Sequence, residues 1–184
     1  MCMEQWIFIV LVAVVILWII LMYNSFVRVY NQVKNAWAQI DVQLKRRTDL
    51  IPNLIESVKG YMKHEKEVLT QVTQARTALM NAQTPAENAQ ADNMLSGALK
   101  SLFAVSENYP DLKANTNFLQ LQEELVGTEN KVAYSRQHYN DMVMRYNTKL
   151  ESFPNNLFSG MFGFKREESF QAAEADKEPV KVSF

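Results

Sequence analysis

The sequence predicts an all-α chain: an N-terminal transmembrane helix followed by an antiparallel, left-handed, up-and-down four-helix bundle of long, heptad-patterned helices. Three observations carry this. Trp6 to Met22 is an unbroken apolar run without a charged residue. Apolar residues after it recur every seven positions. Gly and Pro number only 5 each, while Ala, Leu, Gln, Glu, Lys and Met are plentiful, which favours helices over strands.

The anchor is expected over residues 6–23. At about 1.5 Å per residue it just crosses a hydrocarbon core of roughly 30 Å. Trp6, Trp18 and Tyr23 lie towards its ends, where amphipathic rings favour the interface. A cleaved signal peptide would need a basic leader and a small-residue cleavage site. Met1 to Gln5 hold Glu4 and no Lys or Arg, and Met22-Tyr23-Asn24-Ser25-Phe26 is too bulky for cleavage. Arg28, Lys34, Lys45, Arg46 and Arg47 all follow the anchor. The positive-inside rule thus puts residues 1–5 outside and the remainder in the cytoplasm. Cys2, the single cysteine, builds no disulfide framework.

The chain has 184 residues, 19 basic and 20 acidic, so no net charge draws it to nucleic acid. Without the anchor it suffices for one ordinary domain. The soluble domain is expected over 26–153, with helices at about 26–48, 50–83, 85–107 and 115–153. One stripe is Tyr30, Trp37, Leu44, Ile51, Val58, Glu65, Val72 and Leu79; its companion is Val33, Ile40, Arg47, Leu54, Tyr61, Val68 and Ala75. Pro52 interrupts both and admits two readings. Either Asp49 caps a new helix with Pro52 in its first turn, or one helix kinks there while keeping phase.

Thr84-Pro85-Ala86-Glu87 has the form of a capping box opening the third helix. Its expected apolar face is Met94, Leu95, Ala98, Leu102 and Val105, and Asn108-Tyr109-Pro110-Asp111 ends it. The last long helix shows Phe118, Leu125, Val132, Tyr139, Tyr146 and Phe153 at seven-residue steps, and Pro154 closes it. Residues 154–164 form an aromatic segment, and 165–184 read as a charged, disordered tail. Amphipathic helices of these lengths bury their stripes by packing at small angles, which makes the bundle.

Several blocks together carry a family resemblance. They include Trp37 with Gln39-Ile40-Asp41-Val42-Gln43-Leu44-Lys45-Arg46-Arg47, Asp49-Leu50-Ile51-Pro52-Asn53-Leu54-Ile55, and Val58-Lys59-Gly60-Tyr61 with His64-Glu65. Glu107-Asn108-Tyr109-Pro110-Asp111-Leu112-Lys113-Ala114-Asn115, Glu129-Asn130-Lys131, Arg136, Tyr139-Asn140, Tyr146-Asn147 and Phe153-Pro154 follow. In this order and spacing, up to about Phe164, the chain resembles the bacterial LemA family. The resemblance implies an anchor with a small external N-terminus and a cytoplasmic four-helix bundle, with separate helices on either side of Pro52. It brings no established catalytic activity. It points to membrane organisation, or to company with membrane proteases and envelope proteins.

No catalytic, cofactor or metal site is expected. His64-Glu65 resembles the start of a zinc-protease helix, but position 68 is Val where that motif needs His. Gly60, Gly97 and Gly127 stand alone inside helical patterns and form no phosphate loop. Two sets of residues remain as candidates. Arg47, Glu65, Arg76, Glu129 and Arg136 fall on or beside core stripes, and a buried charge needs a partner. They predict a polar layer that joins Arg and Glu across helices and sets register; snorkelling to the rim is the alternative. Leu157, Phe158, Met161, Phe162 and Phe164 form a candidate interaction segment. It could tuck over the bundle end, lie in the membrane interface or dock on a neighbouring copy. Lys45-Arg46-Arg47 would meet anionic lipid only if the helix folds back to the membrane.

The sequence therefore points to a non-enzymatic, membrane-anchored scaffold or assembly protein of the bacterial inner membrane, forming homo-oligomers. Its expected partners are lipid through the anchor and a possible membrane protein. A regulatory adaptor of a membrane protease or other envelope enzyme is the alternative.

Overall fold

The computed structural model describes residues 2–62 and 64–170. Among the described residues six helices follow in order: α1 (Cys2–Lys59), α2 (Lys66–Asn81), α3 (Pro85–Ser106), α4 (Pro110–Lys113), α5 (Thr116–Glu151) and α6 (Asn155–Ser159). The described residues include no strand.

α1 joins the apolar run and the first soluble helix in one 58-residue rod. The sequence reading separated an anchor at 6–23 from a helix at 26–48; no break divides them. The apolar part, long enough to cross a membrane, is exposed almost throughout. Burial begins at Met22 and Phe26, where other elements first reach α1. A helix exposed over so long an apolar stretch needs lipid as its solvent, which makes this a membrane protein.

The expected helix break at Pro52 does not occur. Pro52 lies inside α1, and the chain instead leaves the helix after Lys59, so the expected 50–83 helix is divided at residues 60–65. Proline lacks the N–H that would bond the carbonyl four residues back, here Thr48. That carbonyl has another donor: Arg76 Nε, from α2, lies 2.9 Å from the Thr48 oxygen. A neighbouring helix thus supplies the hydrogen bond that Pro52 cannot. Arg76→Met is expected to cost about 1–3 kcal/mol, the range for orphaning a buried polar group. In a Pro52→Ala background, where residue 52 donates again, the same change should fall within about 0.5 kcal/mol, as for an ordinary surface substitution. Chemical denaturation of the four chains gives this coupling; equal costs in both backgrounds would refute the account.

α2 and α3 form a hairpin across residues 82–84. Thr84 and Glu87 complete the capping box: Glu87 N donates to Thr84 Oγ1 at 3.2 Å and Thr84 N to Glu87 Oε2 at 3.1 Å. The Gln83 N–H, which also donates to Glu87 Oε2, at 2.8 Å, and then the Thr84 N–H hold the Glu87 carboxyl below its usual range. At the far end of the hairpin the Tyr109 hydroxyl donates to Glu65 Oε1 at 3.1 Å. Asn115 caps α5 through its side chain. α5 then returns beside α1 in the opposite direction: Arg46 meets Glu124, Trp37 meets Tyr139 and Tyr30 meets Tyr146.

The heptad stripes mark the core. Ile40, Leu44, Ile51, Leu54, Val58, Val72, Ala75 and Leu79 are buried, as are Phe118, Leu125, Val132, Tyr139 and Tyr146. Tyr61 is exposed because it lies in the turn after α1, and Met62 is buried instead. Phe153 is exposed because α5 ends two residues earlier, at Glu151. On α3 Leu95, Ala98 and Leu102 of the expected face are buried and Val105 is half-buried; Met94 is exposed instead, and Asp92 and Leu99 join the buried side.

Candidate functional site

Three polar or aromatic arrangements distinguish this fold from a plain apolar bundle. The first is an ionic cluster at mid-height. Arg47 is fully buried. Its Nη1 lies 2.5 Å from Asp92 Oδ1, and its Nη2 bonds Ser96 Oγ at 3.0 Å and meets Glu129 Oε2 at 3.5 Å. Arg136 Nη1 approaches the other Asp92 oxygen at 3.6 Å. α1, α3 and α5 thus converge on one carboxylate. Burial pushes the Asp92 carboxyl above its usual range, against the pull of Arg47 and Arg136.

Of the five candidate layer residues, Arg47, Glu129 and Arg136 come together here. Glu65 and Arg76 stand elsewhere, the first on Tyr109 and the second on the Thr48 carbonyl. Sequence reasoning missed the hub, Asp92. The signal was there: Asp92 lies seven residues before Leu99 and fourteen before Ser106, all three buried.

The second arrangement is a strap. Residues 165–170 were expected within the disordered tail, yet they dock in extended form along α5; residues 171–184 lie outside the described residues. Two asparagines hold the strap, each by a reciprocal pair of bonds. Asn147 Nδ2 donates to the Glu167 carbonyl at 2.9 Å and Glu167 N donates to Asn147 Oδ1 at 3.0 Å. Asn140 does the same to Phe170, at 2.9 and 2.8 Å. A carboxamide carries one acceptor and an N–H donor, so it pairs with a peptide group much as a neighbouring strand would. Between them the Tyr139 hydroxyl donates to the Glu168 carbonyl at 2.9 Å. Burial and the nearby Glu167 and Glu168 push the Tyr139 hydroxyl up to about 12, so it stays a donor. Phe170 is buried beside Trp37, with the Arg136 guanidinium 4.6 Å from its ring centroid. The sequence signal for this clamp is the Tyr-Asn pair at 139–140 and again at 146–147.

The third arrangement is the aromatic segment. Phe158 packs edge-on against Trp18 (centroids 5.7 Å apart), Phe162 against Tyr23 (5.2 Å), and Phe164 stacks on Phe26 (5.1 Å). Leu157 and Met161, on the opposite side, are exposed. The segment therefore lies on α1 where the apolar run ends. Lys149 Nζ bonds Ser25 Oγ beside it.

Lys45-Arg46-Arg47 has no route to the bilayer. With α1 unbroken, Lys45 stands 22 residues beyond Tyr23, about 33 Å at 1.5 Å per residue, against a Debye length of about 8 Å. Arg47 is committed to the ionic cluster, and Arg46 makes only a half-exposed pair with Glu124 at 3.8 Å.

The sequence model of the LemA family matches residues 36–184, extending past Phe164, where the legible blocks stop. A protein LemA of Metamycoplasma hominis is 30% identical, over 87% of this chain and 74% of its own. The magnetosome protein MamQ 2 of Paramagnetospirillum magneticum is 24% identical, over 88% of this chain and 69% of its own. The magnetosome protein MamQ of Magnetospirillum gryphiswaldense is 22% identical over the same shares. With a family match over most of its length and a relative at 30% identity, the chain belongs to the LemA family.

Proposed function

We propose that this chain is a non-enzymatic, membrane-anchored scaffold or assembly protein of the bacterial envelope, forming homo-oligomers and serving membrane organisation or remodelling. The observation that carries this is α1 itself: one helix is both the anchor and a wall of the soluble domain. Such a rod fixes the domain's height over the bilayer, which suits a part that positions other parts. The names of the MamQ relatives, magnetosome proteins, are in keeping with it.

The finer architecture belongs to this reading. The post-anchor part of α1, with α2, α3 and α5, makes a left-handed, up-and-down four-helix bundle, supported by the heptad spacing and the opposed run of α1 and α5. The basic residues that follow the anchor support an N-terminus outside and a bundle in the cytoplasm, at the inner membrane.

Native sizing in mild detergent and in lipid discs is the test. The expected result is a particle of several copies. A monomer without a co-purifying protein overturns the assembly reading. One observation favours the adaptor alternative: an open cleft of about 1200 Å³ between α3, α5 and the strap, with Met94 and Met144 exposed at its sides. Exposed methionines adapt to varied partners. Crosslinking in cells followed by mass spectrometry separates the two, since an adaptor gives one stoichiometric foreign partner.

A further inference from the structure

α6 and its flanks lie at an unusual height. α5 climbs back along α1 until Lys149 meets Ser25 and sits over the Phe26 ring. The chain then turns through α6 and descends again, Phe158 on Trp18, Phe162 on Tyr23 and Phe164 on Phe26. Trp18 lies five residues inside the expected end of the anchor at Tyr23. At 1.5 Å per residue, α6 is held about 7 Å within the level where the anchor leaves the hydrocarbon.

The two sides of this turn differ. Phe158, Phe162 and Phe164 face α1 and are half-buried. Phe153, Leu157 and Met161, four residues apart, face away and are 80%, 60% and 80% exposed. Apolar side chains exposed at this height are continuous with the exposed surface of the anchor, through the Trp18–Phe158 contact. Just beyond them, away from the anchor, Arg28, Arg145, Lys165 and Arg166 are exposed. Among the described residues only Arg166 of these is paired, with Glu151 at 3.1 Å and on the surface.

We propose that the α6 turn is a second membrane contact. Phe153, Leu157 and Met161 enter the headgroup–acyl boundary of the leaflet from which the bundle emerges, and the basic collar meets anionic headgroups. Interfacial amphipathic elements insert about 5–10 Å into that boundary, the depth at which α1 holds this one. Tyr and Trp favour the same zone, and Lys and Arg near it gain from the negative surface potential. The turn inserts as a preformed foot, because its inner aromatic face is already docked on α1. Two points of attachment then fix the tilt and rotation of the bundle, which an anchor alone leaves free. This rests on the anchored reading under Proposed function.

The test uses the full chain in lipid discs of zwitterionic and anionic lipid, in a Cys2→Ser background. An environment-sensitive fluorophore is placed in turn at Leu157→Cys, Met161→Cys, Val10→Cys and Tyr134→Cys, with acyl-brominated lipid as quencher. Labels at 157 and 161 are expected to shift to the blue and be quenched, less than at 10, while 134 is not quenched. Quenching at 10 but not at 157 and 161 overturns the foot and leaves the anchor standing; no quenching at 10 overturns the anchor itself. Energy transfer between copies labelled at 157, without lipid quenching, means that a second copy covers the stripe, and also overturns the proposal. Amide exchange gives an arm without labels. Protection of residues 153–163 in discs should be lost in Phe153→Ser/Leu157→Ser/Met161→Ser, while the strap at 165–170 keeps its protection and reports an intact fold. Protection at 153–163 that survives the triple substitution refutes the contact.

Discussion

Asp92→Leu is expected to destabilise the folded chain by about 3–5 kcal/mol, the cost of removing one partner from a buried ion pair. Among the described residues Asp92 is the only acid that reaches Arg47 out of solvent: it is 3% exposed at the side chain, whereas Glu129 is 50% exposed and 3.5 Å away. Without Asp92, the fully buried Arg47 keeps its charge and loses its shortest bond, and Arg136 loses its contact as well. The double variant Arg47→Met/Asp92→Leu is expected to recover most of that loss, because apolar residues of similar volume often replace a buried pair without net cost. The two sites touch, so their effects couple, and a double-mutant cycle by chemical denaturation measures the coupling. A single Asp92→Leu variant as stable as the parent would show that the cluster is not held together by this carboxylate.

The pH dependence has a definite sign. The folded Asp92 carboxyl titrates above its unfolded value, so the folded chain holds the proton more tightly. Its contribution to stability is present below the unfolded pKa and is lost as pH rises through the folded pKa. Mild acid therefore does not unfold the protein through Asp92. Glu87 has the opposite sign: its lowered pKa gives a contribution that is present above the unfolded value and lost as pH falls through the folded one.

Periodic features were legible in the sequence and singular ones were not. The stripes from Ile40 to Leu79 and from Phe118 to Tyr146 declare which faces are buried, because seven-residue spacing maps directly onto a packed face. The path at Pro52 is not encoded locally. Its outcome depends on Arg76, 24 residues later, reaching the Thr48 carbonyl. The resemblance pointed towards a break, although the unbroken phase was compatible with the continuous helix that forms. Likewise, the spacing of Asp92 to Leu99 and Ser106 marks it as buried, but nothing local names its partner until α1 brings Arg47 opposite it. Residues 165–170 lack periodicity because an extended strap needs none: four of its bonds are made by its own backbone to Asn140 and Asn147. Composition speaks of side chains, and most of this segment's specificity lies in its peptide groups.

Phe170→Ala is expected to weaken strap docking by about 3–5 kcal/mol, the usual loss for a buried phenylalanine. Phe170 is the one fully buried side chain of the strap, wedged between Trp37 and Arg136. The strap puts one of its six residues, Phe170, into the core. Its loss should therefore appear as local opening more than as a lower global melting point. Limited trypsin digestion in discs reads that opening. Lys165 and Arg166 are exposed as side chains, but Asn147 holds the adjoining Glu167 backbone at 2.9 and 3.0 Å. Cleavage there requires the strap to lift, so its rate follows the open population, and Phe170→Ala should raise it by at least tenfold, about 1.4 kcal/mol of the expected loss. Asn140→Ala removes two backbone bonds at about 1 kcal/mol each and should give a smaller rise in the same direction. Wild-type cleavage as fast as in Phe170→Ala would mean that the strap is open in solution. A slow rate in both would mean that the asparagine clamps suffice alone, with Phe170 only filling the space between Trp37 and Arg136.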